Sequence, residues 1–170
     1  MIKPIAKVIL AFNGNAKKSQ IAAGFAWGIL LGLIPTGNFF FIILFLVSFF
    51  FRHNHWTKIF AITILKLLSP LLIYGIDGFG GLILHIKVLE PFFTTLYNMP
   101  FIPFTGFNNT LVAGGLVLGV ILFVPSFFLF WWLVTLYRNH LAEKIRNSKT
   151  LQSIAKSPLL KFIGKAFQNS

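Results

Sequence analysis

Residues 20–51 read QIAAGFAWGILLGLIPTGNFFFIILFLVSFFF and carry no charged side chain. At 1.5 Å rise per residue the stretch would make a helix of about 48 Å, against a hydrocarbon core of about 30 Å. It is too long for one simple crossing and too short for two. Pro35-Thr36-Gly37-Asn38 interrupts it in the middle. Proline removes a backbone donor and clashes with the preceding turn, and glycine loosens the chain. Each arm is then about 14 residues, or roughly 21 Å, below the roughly 20 residues that a span needs. The stretch predicts a re-entrant helical hairpin that enters and leaves a bilayer on the same side.

Backbone at the tip of such a hairpin cannot face lipid; it has to be covered by protein or line a wet cavity. The first arm carries the means of covering it. Gly24, Gly28 and Gly32 recur at every fourth position with Ala22, Ala23 and Ala26 around them. Small-xxx-small faces let two helices approach closely in a membrane. Gly115 and Gly119 repeat the spacing in the last apolar run. These five glycines are the predicted helix-packing positions.

Composition bounds the class. Hydrophobic residues make up 56% of the 170, with 22 Phe, a balance that belongs to an integral membrane protein rather than a soluble domain. There is room for a single membrane domain, residues 1–170. With no Cys there is no disulfide framework, thiolate metal site or cysteine nucleophile. The net charge is +12 and its basic residues gather at the two ends of the chain, which fits anionic lipid headgroups as partners and not nucleic acid.

The remaining segments follow in order. Residues 1–16 suit an interfacial amphipathic helix, with Ile5, Val8, Ile9 and Phe12 on one face and Lys3 and Lys7 toward the other. Arg52 to Lys58, RHNHWTK, is a polar turn with Trp56 at headgroup level. Its His53 and His55 lack the further ligands that a metal site needs, and the HNH triplet has no nuclease constellation around it. Residues 59–76 suffice for one crossing, with Lys66 inside it and Pro70 as a kink; Asp77, Gly78, Gly80 and Gly81 are expected to end it. Residues 82–109, with Pro91, Pro100 and Pro103, read as a periplasmic-side interfacial segment. Residues 111–137 form a second span kinked at Pro125, and residues 138–170 a basic cytoplasmic amphipathic tail. The fold class is therefore all-α and polytopic: a re-entrant hairpin, two spanning helices and amphipathic terminal helices.

An incomplete internal repeat runs through this layout. Ala23-Gly24 precedes Pro35-Thr36 as Ala113-Gly114 precedes Pro125-Ser126, and each half holds a Gly-xxx-Gly pair. Interrupted apolar segments at matching places are a pointer to a transporter-like core.

The run from Ile21 to Gly28, IAAGFAWG, followed by Gly32, Pro35, Gly37 and Arg52-His53-Asn54, resembles the bacterial inner-membrane family DUF2062, a domain of unknown function. Ser69-Pro70 with Tyr74 is similar to the family's second motif. Gly37-Asn38 and Phe107-Asn108-Asn109 are closer to its short stand-alone branch. The resemblance covers residues 17–146 and departs at the tip, where many members space the proline and glycine by three positions rather than two. The family has no established activity. The resemblance implies a large envelope protein as a membrane partner, and through it a place in lipid traffic.

These readings lead to an expected function: a membrane subunit or partner of an envelope lipid-handling system. The alternative is a small transporter or channel built on the inverted repeat. No paired carboxylate, Ser–His or metal motif occurs, so no enzyme activity, catalytic residue, metal or cofactor is expected. The candidate lipid or anion site is Thr36, Gly37 and Asn38 at the tip, where a helix N-terminus favours an anion, together with Lys66 as a second contact.

Charge sets the expected orientation. Residues 1–18 hold four Lys, residues 52–58 two basic groups, and residues 138–170 seven Lys or Arg against Glu143; residues 77–110 hold Lys87 against Asp77 and Glu90. By the positive-inside rule the first three stretches, and so both termini, are cytoplasmic and the fourth is not. That parity holds only if residues 20–51 return to their own side. Single cysteines in this Cys-free chain test it. An impermeant thiol reagent added outside intact cells is expected to label Asn98→Cys and spare His55→Cys, and the reverse pattern overturns the orientation.

Overall fold

The computed structural model describes residues 16–141, which are helix and turn with no strand among them. Five α-helices follow one another: Lys18–Leu33 (α1), Phe39–Val47 (α2), His55–Leu84 (α3), Glu90–Tyr97 (α4) and Thr110–Leu136 (α5). Short 3-10 turns lie at Ser48–Phe50, Lys87–Leu89 and Ile102–Thr105, and a π-helical turn at Tyr137–Leu141 extends α5. The expected terminal amphipathic helix, and the tail beyond residue 141, lie outside the described residues.

The core is α1. It is apolar on every side, and a helix of that kind is stable only when surrounded. Ile21, Ala22, Ala26, Leu30 and Leu31 are buried, and α1 packs against both α3 and α5. Its glycines set the approach. A Cβ at Gly24 would run into the Asn54 carbonyl and the Thr57 side chain, one at Gly28 into Ala61, and one at Gly32 into Leu65 at 2.6 Å. The partners advance by four along α3 as the glycines advance by four along α1, so the two helices run parallel.

α5 runs the other way. Gly115 faces Leu33 and Ile34, whereas Gly119 faces Leu30. Further along α3, Gly80 and Gly114 bring the α3 and α5 backbones together, with Gly80 against Thr110 and Gly114 against Ile76. Two long-range bonds close the opposite end. The Asn54 amide donates to the Gln20 carbonyl at 2.8 Å, and the Arg138 guanidinium donates to the Ala16 carbonyl at 2.8 Å. Residues 16–20, 54 and 138 thus share one end of the bundle, and residues 77–80 and 110–114 share the other.

Two expectations are corrected. α3 does not stop at Ile76: it runs through Asp77, Gly78, Gly80 and Gly81 to Leu84, so residues 82–84 finish that helix rather than opening the following segment. Glycine costs a helix only about 1 kcal/mol. Here Gly80 provides the close contact with α5, and the Asp77 carboxylate accepts a hydrogen bond from the Thr110 hydroxyl. The matched prolines also behave differently. Pro35 ends a helix, whereas α5 continues through Pro125 and Ser126. The two halves of the sequence repeat therefore form unlike structures.

α3, and α5 with its extension to Asn139, are each long and apolar enough to cross a membrane. The seam between α1 and α3 makes a direct prediction. Gly28→Val places carbon where Ala61 already sits, and overpacking of this kind costs about 1–3 kcal/mol. Gly75, where a Cβ would meet nothing within 4 Å, is the control. Gly28→Val is expected to lower the thermal midpoint of the detergent-solubilised protein and Gly75→Ala to leave it unchanged; equal behaviour of the two would contradict the seam.

Candidate functional site

The tip is built by residues that stop one helix and start another. Ile34 takes an extended conformation (φ −81°, ψ 133°), as expected for a residue that precedes proline. Asn38, also extended, caps α2: its side-chain oxygen accepts from the Phe41 amide at 2.8 Å while its NH2 group donates to the Pro35 carbonyl at 2.8 Å. One side chain thereby satisfies a donor of the second helix and an acceptor of the turn. From α3, the Lys66 ammonium donates to the Ile34 carbonyl at 2.5 Å and lies 5.8 Å from the centre of the Phe41 ring. It therefore sits at the C-terminal end of α1, where the helix dipole is negative.

α1 stops at the tip, but α3 and α5 run on. Between them lies a cavity of about 290 Å³, with Thr36, Gly37, Lys66, Ser69, Ile76 and Leu111 in its wall. Three of the four expected site residues, Thr36, Gly37 and Lys66, are brought to one cavity. Asn38 is not in the wall and instead clamps the rim. Ser69, which sequence reasoning passed over, joins it, with its hydroxyl donating to the Lys66 carbonyl at 2.8 Å. A lysine ammonium has three donors, and the Ile34 carbonyl takes one. The wall thus offers a cation, two hydroxyls and an unhindered glycine within an apolar surround. α5 meets the end of α1 at Gly115, which faces Leu33 and Ile34, while Ser126 bonds to the Phe123 carbonyl within its own helix, at 3.0 Å.

A second polar cluster lies where the sequence showed only an interfacial turn. Lys58 is buried, donating to the Ser48 hydroxyl at 2.6 Å, with the rings of Phe45 and Phe49 at 4.6 and 4.2 Å. The His53 and His55 rings are 4.5 Å apart, and His55 stacks on Phe49 at 5.0 Å. Burial first, then the charges of Lys58 and His55, lower the His53 pKa from 6.5 to about 4. A spacing signal was present: Lys58 and Lys66 are eight apart on one face of α3, and Phe41, Phe45 and Phe49 are four apart along α2 and the 3-10 turn that follows it. No group of three or more potential metal-binding His, Cys, Asp or Glu side chains gathers among the described residues.

No solved structure matches this chain. An uncharacterized protein of Treponema pallidum (strain Nichols) is 28% identical to it over 161 residues, covering 95% of this chain and 99% of that relative. The family model described as an uncharacterized protein conserved in bacteria (DUF2062) matches residues 3–143, and the chain belongs to that bacterial family.

Proposed function

We propose that this protein is a multi-pass subunit of the bacterial inner membrane that holds an anionic lipid headgroup at the tip of a re-entrant hairpin and serves an envelope lipid-handling system. The membrane setting is supported by the surface of α3, where Leu67, Leu71 and Tyr74 are 76%, 80% and 86% exposed. A continuous apolar surface of that kind needs a cover, and lipid is the cover that its length suits. The basic stretches at 16–18, 52–58 and 138 share one end of the bundle, in keeping with a cytoplasmic end. α1 and α2 leave from and return to that end, since the amide of Asn54 closes onto Gln20. At 16 residues, α1 is about 24 Å long, short of a full crossing.

The observation that carries the ligand class is the cavity. Its volume is at the lower end for small-molecule sites, and its one charged wall residue is a lysine. An isolated lysine at the centre of a spanning helix costs about 2.5–3.5 kcal/mol on insertion scales. The Ile34 carbonyl recovers part of this, and a phosphate oxygen placed between Lys66 and Thr36 would add a negative charge. The transporter reading rested on the repeat and the hairpin, and the two halves of the repeat form unlike structures.

Lipid retention tests the site. Lys66→Met and the double variant Thr36→Ala, Asn38→Ala are each expected to fold, judged by gel filtration. Each should also carry several-fold less phosphatidylglycerol than wild type in native mass spectrometry. Wild-type retention by the folded double variant sinks the tip site. A pull-down tests the subunit role separately: a stoichiometric large envelope protein is expected, and its absence from native membranes argues against that role.

A further inference from the structure

Arg52, His53, His55 and Lys58 place four basic groups in one turn and the start of α3, and residues 52–58 hold no acid. Lys58 is 1% exposed. Of its three N–H donors one reaches the Ser48 hydroxyl, and the ring faces of Phe45 and Phe49 meet the ammonium. Ring faces attract a cation but bring no net negative charge. The acids among the described residues are Asp77 and Glu90. Asp77 is about 28 Å further along α3 and accepts from Thr110; Glu90 begins α4, beyond the end of α3. Among the described residues Lys58 is thus a buried charge without a counter-ion, and such a charge is expensive.

His53 adjoins it and is 8% exposed. Its Nδ1 donates to the Phe51 carbonyl at 2.9 Å, which makes Nε2 a lone-pair acceptor, and that atom is buried with no partner. The lowered pKa keeps the ring neutral at pH 7, so the acceptor persists. The groups facing His53 are Lys58 and His55 from α3 and the Trp27 ring from α1. This cluster holds donors in excess, positive charge in excess and one orphan acceptor. A phosphate diester answers the first two. A singly protonated phosphate monoester answers all three: its ionised oxygens accept from Lys58 and its P–O–H donates to His53 Nε2.

We propose that Lys58 and His53 form a binding site for a phosphate monoester, borne on a lipid or free in solution, which the rings of Phe45 in α2 and Phe49 in the turn after it cover when it is empty. α2 is suited to give way, since none of its residues is buried. The site is separate from the tip cavity, about 12 Å from Lys66 along α3.

The full-length chain is placed in nanodiscs that contain either phosphatidic acid, a monoester, or phosphatidylethanol, a diester with no O–H, and retained lipid is read by native mass spectrometry. A third arm offers inorganic phosphate to lipid-depleted protein. His53→Asn keeps a donor for the Phe51 carbonyl and removes Nε2; Lys58→Met removes the ammonium. Wild type is expected to favour phosphatidic acid over phosphatidylethanol by about tenfold, the usual effect of leaving one buried polar atom unmatched. His53→Asn should abolish that preference, Lys58→Met should lose it together with the lipid held at this site while the tip keeps its own, and Lys66→Met should keep the preference. Retention of inorganic phosphate without phosphatidic acid, lost in both variants, assigns the site to a soluble source. Where Lys58→Met does not fold, His53→Asn decides alone. Equal or absent retention of the two lipids by wild type with no phosphate bound, or an undiminished preference in His53→Asn, overturns the proposal.

Discussion

A helix that ends between two longer ones leaves backbone groups that need partners. That constraint, at Ile34–Asn38, governs the rest of this fold. The turn meets it with two side chains: Lys66 donates to the Ile34 carbonyl, and Asn38 bonds to both the Pro35 carbonyl and the Phe41 amide. Lys66 can reach only because α3 lies close to α1, and α3 lies close because Gly24, Gly28 and Gly32 give it room. The cavity follows from the same constraint, since it is the space that α1 would have filled had it continued beside α3 and α5.

Among the described residues, the two lysines on the inner face of α3 have no carboxylate beside them. Lys58 and Lys66 share a face of α3, and the phenyl rings of α2 and the turn after it lie across them: Phe45 and Phe49 over the first, Phe41 near the second. Each ring contributes about 0.5–2 kcal/mol depending on how dry the contact is, less than an ion pair would in the same place. Hydroxyl and carbonyl oxygens complete the coordination, from Ser48 for one lysine and Ile34 for the other. An acid at either position would neutralise the charge permanently, whereas a ring leaves it available to an incoming anion.

The helical class, the two long apolar helices and the break at Pro35–Asn38 were legible because each rests on local chemistry: run length, charge and proline. Asp77–Gly81 was misread because the same residue types that break an isolated helix serve a close contact when a partner backbone lies against them. Gly80 and Gly114 were therefore missed as a pair, since only the fold brings them together. Thr36, Gly37 and Lys66 were chosen from a motif and a misplaced charge, and the cavity that gathers them needed the end of α1 to be located. Lys58 was overlooked because its place next to a polar turn suggested solvent, while its burial depends on α2 folding back over it.

The Ile34 carbonyl and the Lys66 ammonium are 32 residues apart in the chain. During synthesis the acceptor therefore emerges well before its donor, and the glycine seam of α1 emerges before Thr57, Ala61 and Leu65, which fill it. The first apolar stretch cannot consolidate alone. It needs α3 to dock against it, and the Arg138–Ala16 bond then joins the last long helix to the start of the first. The contacts of the first described helix are thus complete only once the last one has been made.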